Sequence, residues 1–196
     1  MRFIGSLLLT TALLTQPALA GDQVLYQEAP DWVDQRQINT ADRTEDAPII
    51  LIDQQARIES GRLWTYVDSA IALDTPQTLT QAGTLSANWL PDKGDLIVHA
   101  AQLIRGDEVI DLLEGDEKFE ILRRERGLES RLLNGALTAT MTVPGARLGD
   151  VLRLSYSTTV SDQALGENVQ WQSGLIADPF PSKAVESAFP GLKTLR

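Results

Sequence analysis

The chain alternates apolar and polar residues in short runs separated by turn-forming residues. Alternation with a period of two is typical of half-buried β-strands, whereas helices repeat apolar residues every three or four positions. The strands predicted on this basis cover residues 49–58, 62–73, 84–90, 96–104, 108–113, 137–143, 151–160 and 169–176. Residues 119–133 are predicted to form two strands bent at Arg126-Gly127, and the good helix formers there leave a helix as the alternative.

The predicted strands differ in how their apolar residues are distributed. Residues 96–104 are almost continuously apolar, which is typical of a strand buried on both faces. Three others carry one apolar face each. These faces comprise Ile50, Ile52, Ala56 and Ile58 in the first, Leu137, Ala139, Met141 and Val143 in the second, and Leu152, Leu154, Tyr156 and Val160 in the third.

Turn residues define the connections between these strands. Ser60-Gly61 and Asn134-Gly135 favour hairpins, and Gly106-Asp107 favours a further turn. A short helix is predicted at residues 74–83, because a capping residue and an early proline mark its start and a glycine marks its end. The pattern as a whole predicts one all-β domain, an antiparallel β-sandwich with one or two short helices. The second helix, at residues 182–189, is one interpretation of the C-terminus; the other is a truncated domain.

The N-terminus has the order of an export signal. Arg2, an apolar stretch at 3–14 and the small-residue motif Ala18-Leu19-Ala20 follow one another as in a signal peptide. The apolar stretch is shorter than the roughly 20 residues that a membrane-spanning helix needs. We therefore expect a signal peptide at residues 1–20, cleavage between Ala20 and Gly21, and a domain at 21–196 with no transmembrane segment. The expected location is periplasmic or secreted.

Composition excludes several function classes. The chain has no cysteine, so it can form neither a disulfide, a thiolate nucleophile nor a cysteine metal site. It has 17 Lys and Arg against 27 Asp and Glu, a formal net charge of −10. An acidic protein repels phosphate backbones, so nucleic acid is not an expected partner.

Candidate catalytic residues are few. His99 is the one histidine of the chain, and alternation places it with Ile97, Ala101 and Leu103, opposite Val98 and Ala100. We interpret it as structural, because there is no G-x-S-x-G nucleophile motif for it to serve. A single histidine without cysteine also cannot build a typical zinc site, and no cofactor is expected.

The acidic and basic clusters of the chain are better explained as turns and ion pairs than as metal-binding or phosphate-binding sites. The acidic residues Glu114, Asp116 and Glu117 do not match the spacing of a calcium loop. The tripeptide Arg105-Gly106-Asp107 spells an adhesion motif but is interpreted as a turn. Residues 123–131 contain both arginines and glutamates. This mixture of charges favours cross-strand ion pairs over a phosphate-binding site.

Four tryptophans are the remaining candidates for binding. Aromatic side chains can stack against sugar or peptide, and in a β-sandwich they can equally fill the core. The candidate platform consists of Trp32, Trp64, Trp89 and Trp171.

Several ordered phrases resemble the DUF3857 domain family over roughly residues 24–181. They are Ala29-Pro30-Asp31-Trp32-Val33, Trp89-Leu90-Pro91-Asp92, Leu96-Ile97-Val98-His99, Ile104-Arg105-Gly106-Asp107, Leu122-Arg123-Arg124-Glu125, Leu133-Asn134-Gly135-Ala136-Leu137-Thr138 and Gly149-Asp150. The resemblance implies an exported bacterial β-sandwich module that normally precedes a transglutaminase-like domain. It supplies no catalytic residues.

Two hypotheses of function follow. The first is a non-catalytic accessory or interaction domain whose partner is a transglutaminase-like domain or another protein. The alternative is a β-sandwich that binds carbohydrate or peptidoglycan through exposed tryptophans.

Overall fold

The structure, a computed structural model, describes residues 21–40, 48–115, 118–123, 135–162, 168 and 170. These residues form nine strands and one short helix. In chain order they are β1 (Val24–Tyr26), β2 (Ile49–Glu59), β3 (Arg62–Ala72), α1 (Pro76–Gln81), β4 (Thr84–Trp89), β5 (Leu96–Arg105), β6 (Glu108–Asp111), β7 (Glu120–Arg123), β8 (Leu137–Thr142) and β9 (Val151–Val160).

The strands form two sheets, which confirms the predicted all-β sandwich. The larger sheet has the order β1-β5-β9-β3-β2, and the smaller has the order β4-β8-β7. In the larger sheet β6 also pairs with β5, at residues that follow the segment paired with β1. All pairs are antiparallel except β1 with β5. Two of these antiparallel pairs, β2 with β3 and β5 with β6, are hairpins joined by two-residue turns.

The β2–β3 hairpin forms as predicted. Glu59 pairs with Arg62 across a two-residue turn, in which Ser60 and Gly61 have positive φ values of 51° and 72°. Two successive positive φ values give a turn whose twist matches that of the flanking strands.

The helix α1 also begins where the sequence predicts. Thr75 caps it: its hydroxyl accepts from the Thr78 amide, and the Thr78 hydroxyl accepts from the Thr75 amide, both at 3.1 Å. Pro76 occupies the first turn, where a missing N–H costs nothing. This helix brings the chain from the end of β3 to the smaller sheet.

The main core lies between the two sheets. Strands β5 and β9 contribute Val98, Leu103 and Leu152, and β8 contributes Met141, all buried together. The predicted apolar faces of β8 and β9 lie in this core, through Leu137, Ala139, Met141, Val143, Leu152, Leu154 and Tyr156. Val160, predicted to share the face of β9, is half-buried and is not part of this core. Burial of the leucine, valine and methionine side chains in this core, worth about 1.5–3 kcal/mol each, holds the sheets together.

The predicted apolar face of β2 is wrong. The structure buries Leu51, Asp53 and Gln55, and leaves Ile58 60% exposed. A register irregularity between Ile49 and Leu51 shifts the alternation at the start of the strand, so Ile50 is buried as well. Polar side chains are buried beyond it because residues 27–40 cover the second face of the larger sheet. Gln55 makes hydrogen bonds to Asp34 of that segment, and Asp53 in turn accepts from Gln55.

Several predictions fall outside the described residues. These are the bend at Arg126-Gly127, Asn134 of the third turn, most of the strand at 169–176 and the helix at 182–189. Within the described residues, no helix combines the length and apolar character needed to cross a membrane.

Candidate functional site

Residues 27–40 cross the second face of the larger sheet, where Ile38 packs on an apolar cluster and main-chain atoms make hydrogen bonds to the sheet. The Gln55 side chain makes two hydrogen bonds to Asp34: its Oε1 accepts from the Asp34 amide at 3.0 Å, and its Nε2 donates to the Asp34 carbonyl at 2.7 Å. A third attachment joins His99 to the Gln27 carbonyl. We call residues 27–40 the covering segment.

His99 faces this segment because β5 contains a bulge. Val98 pairs with Tyr156 and Ala100 with Ser155, so His99 is an extra residue with no partner on β9. The predicted grouping of His99 with Ala101 and Leu103 is therefore wrong, since those two residues lie in the core between the sheets. The two residues on the bulged side of such an irregularity can point to one face, which strict alternation does not allow.

The hydrogen bonds of His99 define its protonation. Nδ1 lies 3.0 Å from the Gln27 carbonyl oxygen, which can only accept, so Nδ1 carries the proton. Nε2 then accepts from the Ser157 hydroxyl at 2.7 Å. Burial lowers the pKa of His99 below its usual value. The ring is therefore neutral near pH 7.

Next to His99 lies a buried ion pair. Asp68, fully buried, accepts two hydrogen bonds from Arg153, at 3.0 Å from Nε and 2.7 Å from a terminal nitrogen. This contact raises the pKa of Arg153. The Tyr66 hydroxyl donates to the same carboxylate at 3.3 Å, and its ring stacks on His99 with 5.7 Å between centroids. Burial, and secondarily the charge of Asp68, raise the pKa of Tyr66 to about 12.

Asp53 and Gln55 lie on the same face of the sheet as Asp68 and Arg153. We call Asp53, Gln55, Tyr66, Asp68, His99, Arg153 and Ser155 the polar layer. Oδ2 of Asp53 accepts from Gln55 at 2.6 Å, whereas its buried Oδ1 has no hydrogen-bond partner within the described residues. Burial raises the pKa of this carboxyl group. Gln55 thus connects the interior of the layer to the covering segment.

A polar cleft opens between the covering segment and the sheet. Its volume is about 460 Å³, within the range of roughly 300–1,000 Å³ of small-ligand pockets. The sheet supplies Tyr66, His99, Ala100, Gln102, Arg153 and Ser155, and the covering segment supplies Glu28, Ala29, Pro30, Asp31, Val33 and Gln35. The candidate site is this cleft with the polar layer behind it.

The His99–Ser157 pair has the hydrogen bond of a serine nucleophile and its base, but not its accessibility. A nucleophilic serine must reach the substrate carbonyl. Ser157 is 0% exposed, in the middle of a strand paired on both sides. The arrangement therefore orients the His99 ring rather than activating a nucleophile. Within the described residues, no group of three or more potential ligands could hold a metal ion.

The structure describes three of the four candidate tryptophans, and these three do not share one exposed surface. Trp89 is buried in the core between the sheets, and its indole nitrogen has no partner within the described residues. Trp64 lies half-buried on β3, and Trp32 lies half-buried in the covering segment, next to cleft residue Asp31. Trp171 and Ala20 lie outside the described residues, and Gly21 is the first described residue.

The adhesion-like tripeptide is a turn, as predicted. Gly106 has a φ of +59° between β5 and β6. The Arg105 guanidinium makes two hydrogen bonds of 2.8 Å to Asp150, which lowers the pKa of that carboxyl group. The arginine thereby anchors the turn that precedes β9.

Sequence reasoning missed most of the polar layer. Asp53 and Gln55 on β2, and Arg153 and Ser155 on β9, occupy every second position of their strands, and Asp68 lies between Tyr66 and Ala70 on the same face of β3. That pattern is the same as that of a solvent-facing side of a sheet. The strand sequences alone therefore do not distinguish a buried polar face from a solvent-facing one.

Comparison with known proteins gives one family and one fold neighbour. The family model of DUF3857, a domain of unknown function with a solved structure, matches residues 59–189, more than half of the chain. The chain is similar in fold to a crystal structure of a "putative protease" from Parabacteroides distasonis ATCC 8503, with a TM-score of 0.52 and 15% identity. The similarity covers 61% of this chain and only 24% of that one. Among curated proteins, none matches the chain.

Proposed function

We propose that this chain, which belongs to the DUF3857 family, is a non-catalytic exported module that acts by binding a partner protein. The observation that carries the proposal is the internal pairing of the polar layer. The ion pair of Asp68 and Arg153 satisfies both charges, and His99 is held between Gln27 and the inaccessible Ser157. Groups committed to one another in this way position a surface rather than react with a substrate.

The fold neighbour supports an accessory role. Its solved chain is about four times as long as the matched part, because the likeness covers 24% of it. The same fold therefore occurs there within a larger protein. By the resemblance to DUF3857 modules, we propose a transglutaminase-like domain as the partner, in the same polypeptide or on another.

Export is part of the proposal and rests on the N-terminal sequence. Arg2, the apolar stretch at 3–14 and Ala18-Leu19-Ala20 have the order that a signal peptidase recognises. Mass spectrometry of the protein from the periplasm of an expressing cell tests it. A mature N-terminus at Gly21 is expected, and a cytoplasmic protein retaining Met1 would contradict it.

Catalysis is tested with the purified protein and its Ser157→Ala variant. Each is incubated with chromogenic esters, peptides and glycosides and with a fluorophosphonate that labels reactive serines. No turnover and no labelling are expected from either protein. Turnover by the native protein that is lost in the variant would overturn the non-catalytic assignment.

Partner binding is tested with a transglutaminase-like domain encoded in the same genome. We expect a stoichiometric complex in sedimentation velocity when the two proteins are mixed at micromolar concentration. Independent sedimentation at all concentrations up to 100 times higher would contradict this choice of partner.

A further inference from the structure

The cleft beneath the covering segment is negatively charged despite containing an arginine. Glu28 and Asp31 line it from the covering segment, and both are exposed. Arg153 lines it from the sheet, but Asp68 neutralises the guanidinium through two hydrogen bonds. Three carboxylates therefore stand against one cation, so a positively charged group is attracted to the cleft and an anion is repelled.

The lining also offers hydrogen bonds to an uncharged chain. Gln102 lies half-buried among the residues that line the cleft, and its side chain ends in an amide group. An amide group can donate to a carbonyl and accept from an N–H at the same time. The lining is polar, so it does not favour a lipid or an aromatic ligand.

Ala100 of β5 also lines the cleft. The pairing of β1 with β5 ends at Val98, and the pairing of β6 with β5 begins at Gln102. The main-chain carbonyls of Val98 and Ala101 already accept from the amides of Gln27 and Leu112. A peptide in the cleft therefore contacts the lining at Ala100 and Gln102 and does not pair as an added strand.

We propose that the cleft binds an extended peptide segment of a partner protein and receives a lysine or arginine side chain between Glu28 and Asp31. The inference rests on the proposed interaction function and specifies the chemistry of the partner. The cationic head lies between the two carboxylates, and the peptide backbone lies along Gln102 and Ala100. No covalent step takes place.

The test is an NMR titration of the whole protein with three capped pentapeptides of glycine and serine. Their central residue is lysine, norleucine or glutamate, so that length is kept and charge is changed. We expect the lysine peptide to shift the Gln102 side-chain amide and the residues around Glu28, and to bind at least about tenfold more tightly than the norleucine peptide. Equal binding of the lysine and norleucine peptides would overturn the proposal.

Variants locate the binding. The double variant E28Q/D31N is expected to weaken lysine-peptide binding by about tenfold. The matched control is D107N/E108Q, which replaces an exposed aspartate of the β5–β6 turn and the exposed glutamate that begins β6, both outside the cleft. The control should bind as the native protein does. An equal loss in both variants would show attraction to overall charge only and would overturn the site.

A simple diamine distinguishes a peptide from a free cation. Cadaverine has the ammonium group of lysine without a peptide backbone, and we expect it to bind more weakly than the lysine peptide. Equal affinity would overturn the peptide as the occupant. Mass spectrometry of the recovered peptide separates this proposal from the non-catalytic assignment, because cleavage would contradict that assignment while leaving the binding data valid.

Discussion

Asp53 and Asp68 lie directly opposite each other on β2 and β3, and both carboxyl groups are buried on the same face of the sheet. Like charges opposed across two strands destabilise them. The protein treats the two residues differently: Arg153 forms an ion pair with Asp68, whereas burial, with a further contribution from the charge of Asp68, raises the pKa of Asp53. Asp68 thus has a cation as its partner, while burial disfavours ionisation of Asp53.

Replacing Arg153 should show how strongly the buried carboxylate of Asp68 depends on its cationic partner. We expect Arg153→Met to lower the free energy of unfolding by about 3–5 kcal/mol, because it leaves Asp68 charged, buried and uncompensated. Urea denaturation measures the change. The control is Arg57→Met, whose partner Glu59 is exposed and whose ion pair is worth at most about 1 kcal/mol. Equal effects of the two substitutions would contradict the assigned role of Arg153.

His99 should make stability depend on pH. Its pKa in the folded state lies below the ordinary 6.5, so the unfolded chain binds more protons in the window just below that value. The free energy of unfolding then rises with pH up to about 6.5 and falls as pH drops below it towards the folded pKa.

The variant His99→Gln isolates this contribution. Asp68, Tyr66, Arg153 and Glu28 surround the site in both proteins, so their titration cancels in the difference. We expect a shallower pH dependence for the variant between about pH 5 and 7, measured by urea denaturation across that range. Parallel curves for the two proteins would contradict the lowered pKa.

Gly94 should tolerate no side chain. A Cβ atom there would lie 1.8 Å from the Thr159 carbonyl oxygen. The position of a Cβ atom is fixed by the main chain, and the carbonyl belongs to the main chain, so neither can rotate away. We expect Gly94→Ala to cost more than about 3 kcal/mol, at the severe end of single substitutions. Gly106→Ala is the control: it has open space and a φ of +59°, for which about 1–2 kcal/mol is expected. Thermal unfolding that ranks the two in the opposite order would contradict the close approach.

Trp89 should behave as a core residue. Its burial among the residues between the sheets predicts that Trp89→Ala lowers the free energy of unfolding by about 3–5 kcal/mol. Half-buried Trp32 serves as the control, with a smaller loss expected for Trp32→Ala. Fluorescence titration with peptidoglycan fragments tests the carbohydrate-binding alternative. An emission change that depends on Trp89 would favour that alternative over the core role.

The sequence predicts elements well where turn chemistry and alternation agree. The strand at 151–160 and the turn at Ser60-Gly61 occur where they are predicted, because turn residues and β-branched or apolar alternation are local properties. The pairing of β1 with β5 depends on residues about 70 positions apart, and local patterns contain no information on it.

The candidate site was predictable only as a histidine on a strand. Its orientation depends on the bulge at His99, and one extra residue reverses the faces of everything after it. The polar layer was not predictable, because Asp53 and Gln55 resemble solvent-facing residues until the covering segment is placed over them. Such burial is decided by tertiary contacts rather than by the strand that contains the residues.

The attachments of the covering segment have a consequence for how this domain diversifies. Gln55 contacts Asp34 through the amide and carbonyl, and His99 contacts Gln27 through the carbonyl, so these hydrogen bonds do not depend on which side chains the segment has. Ile38 adds an apolar contact with the sheet at the far end of the segment. Substitutions at Glu28, Asp31 or Gln35 then change the cleft while the segment stays in place. Evolution can alter what the cleft recognises without rebuilding the scaffold, and sequence divergence among relatives should concentrate at these three positions.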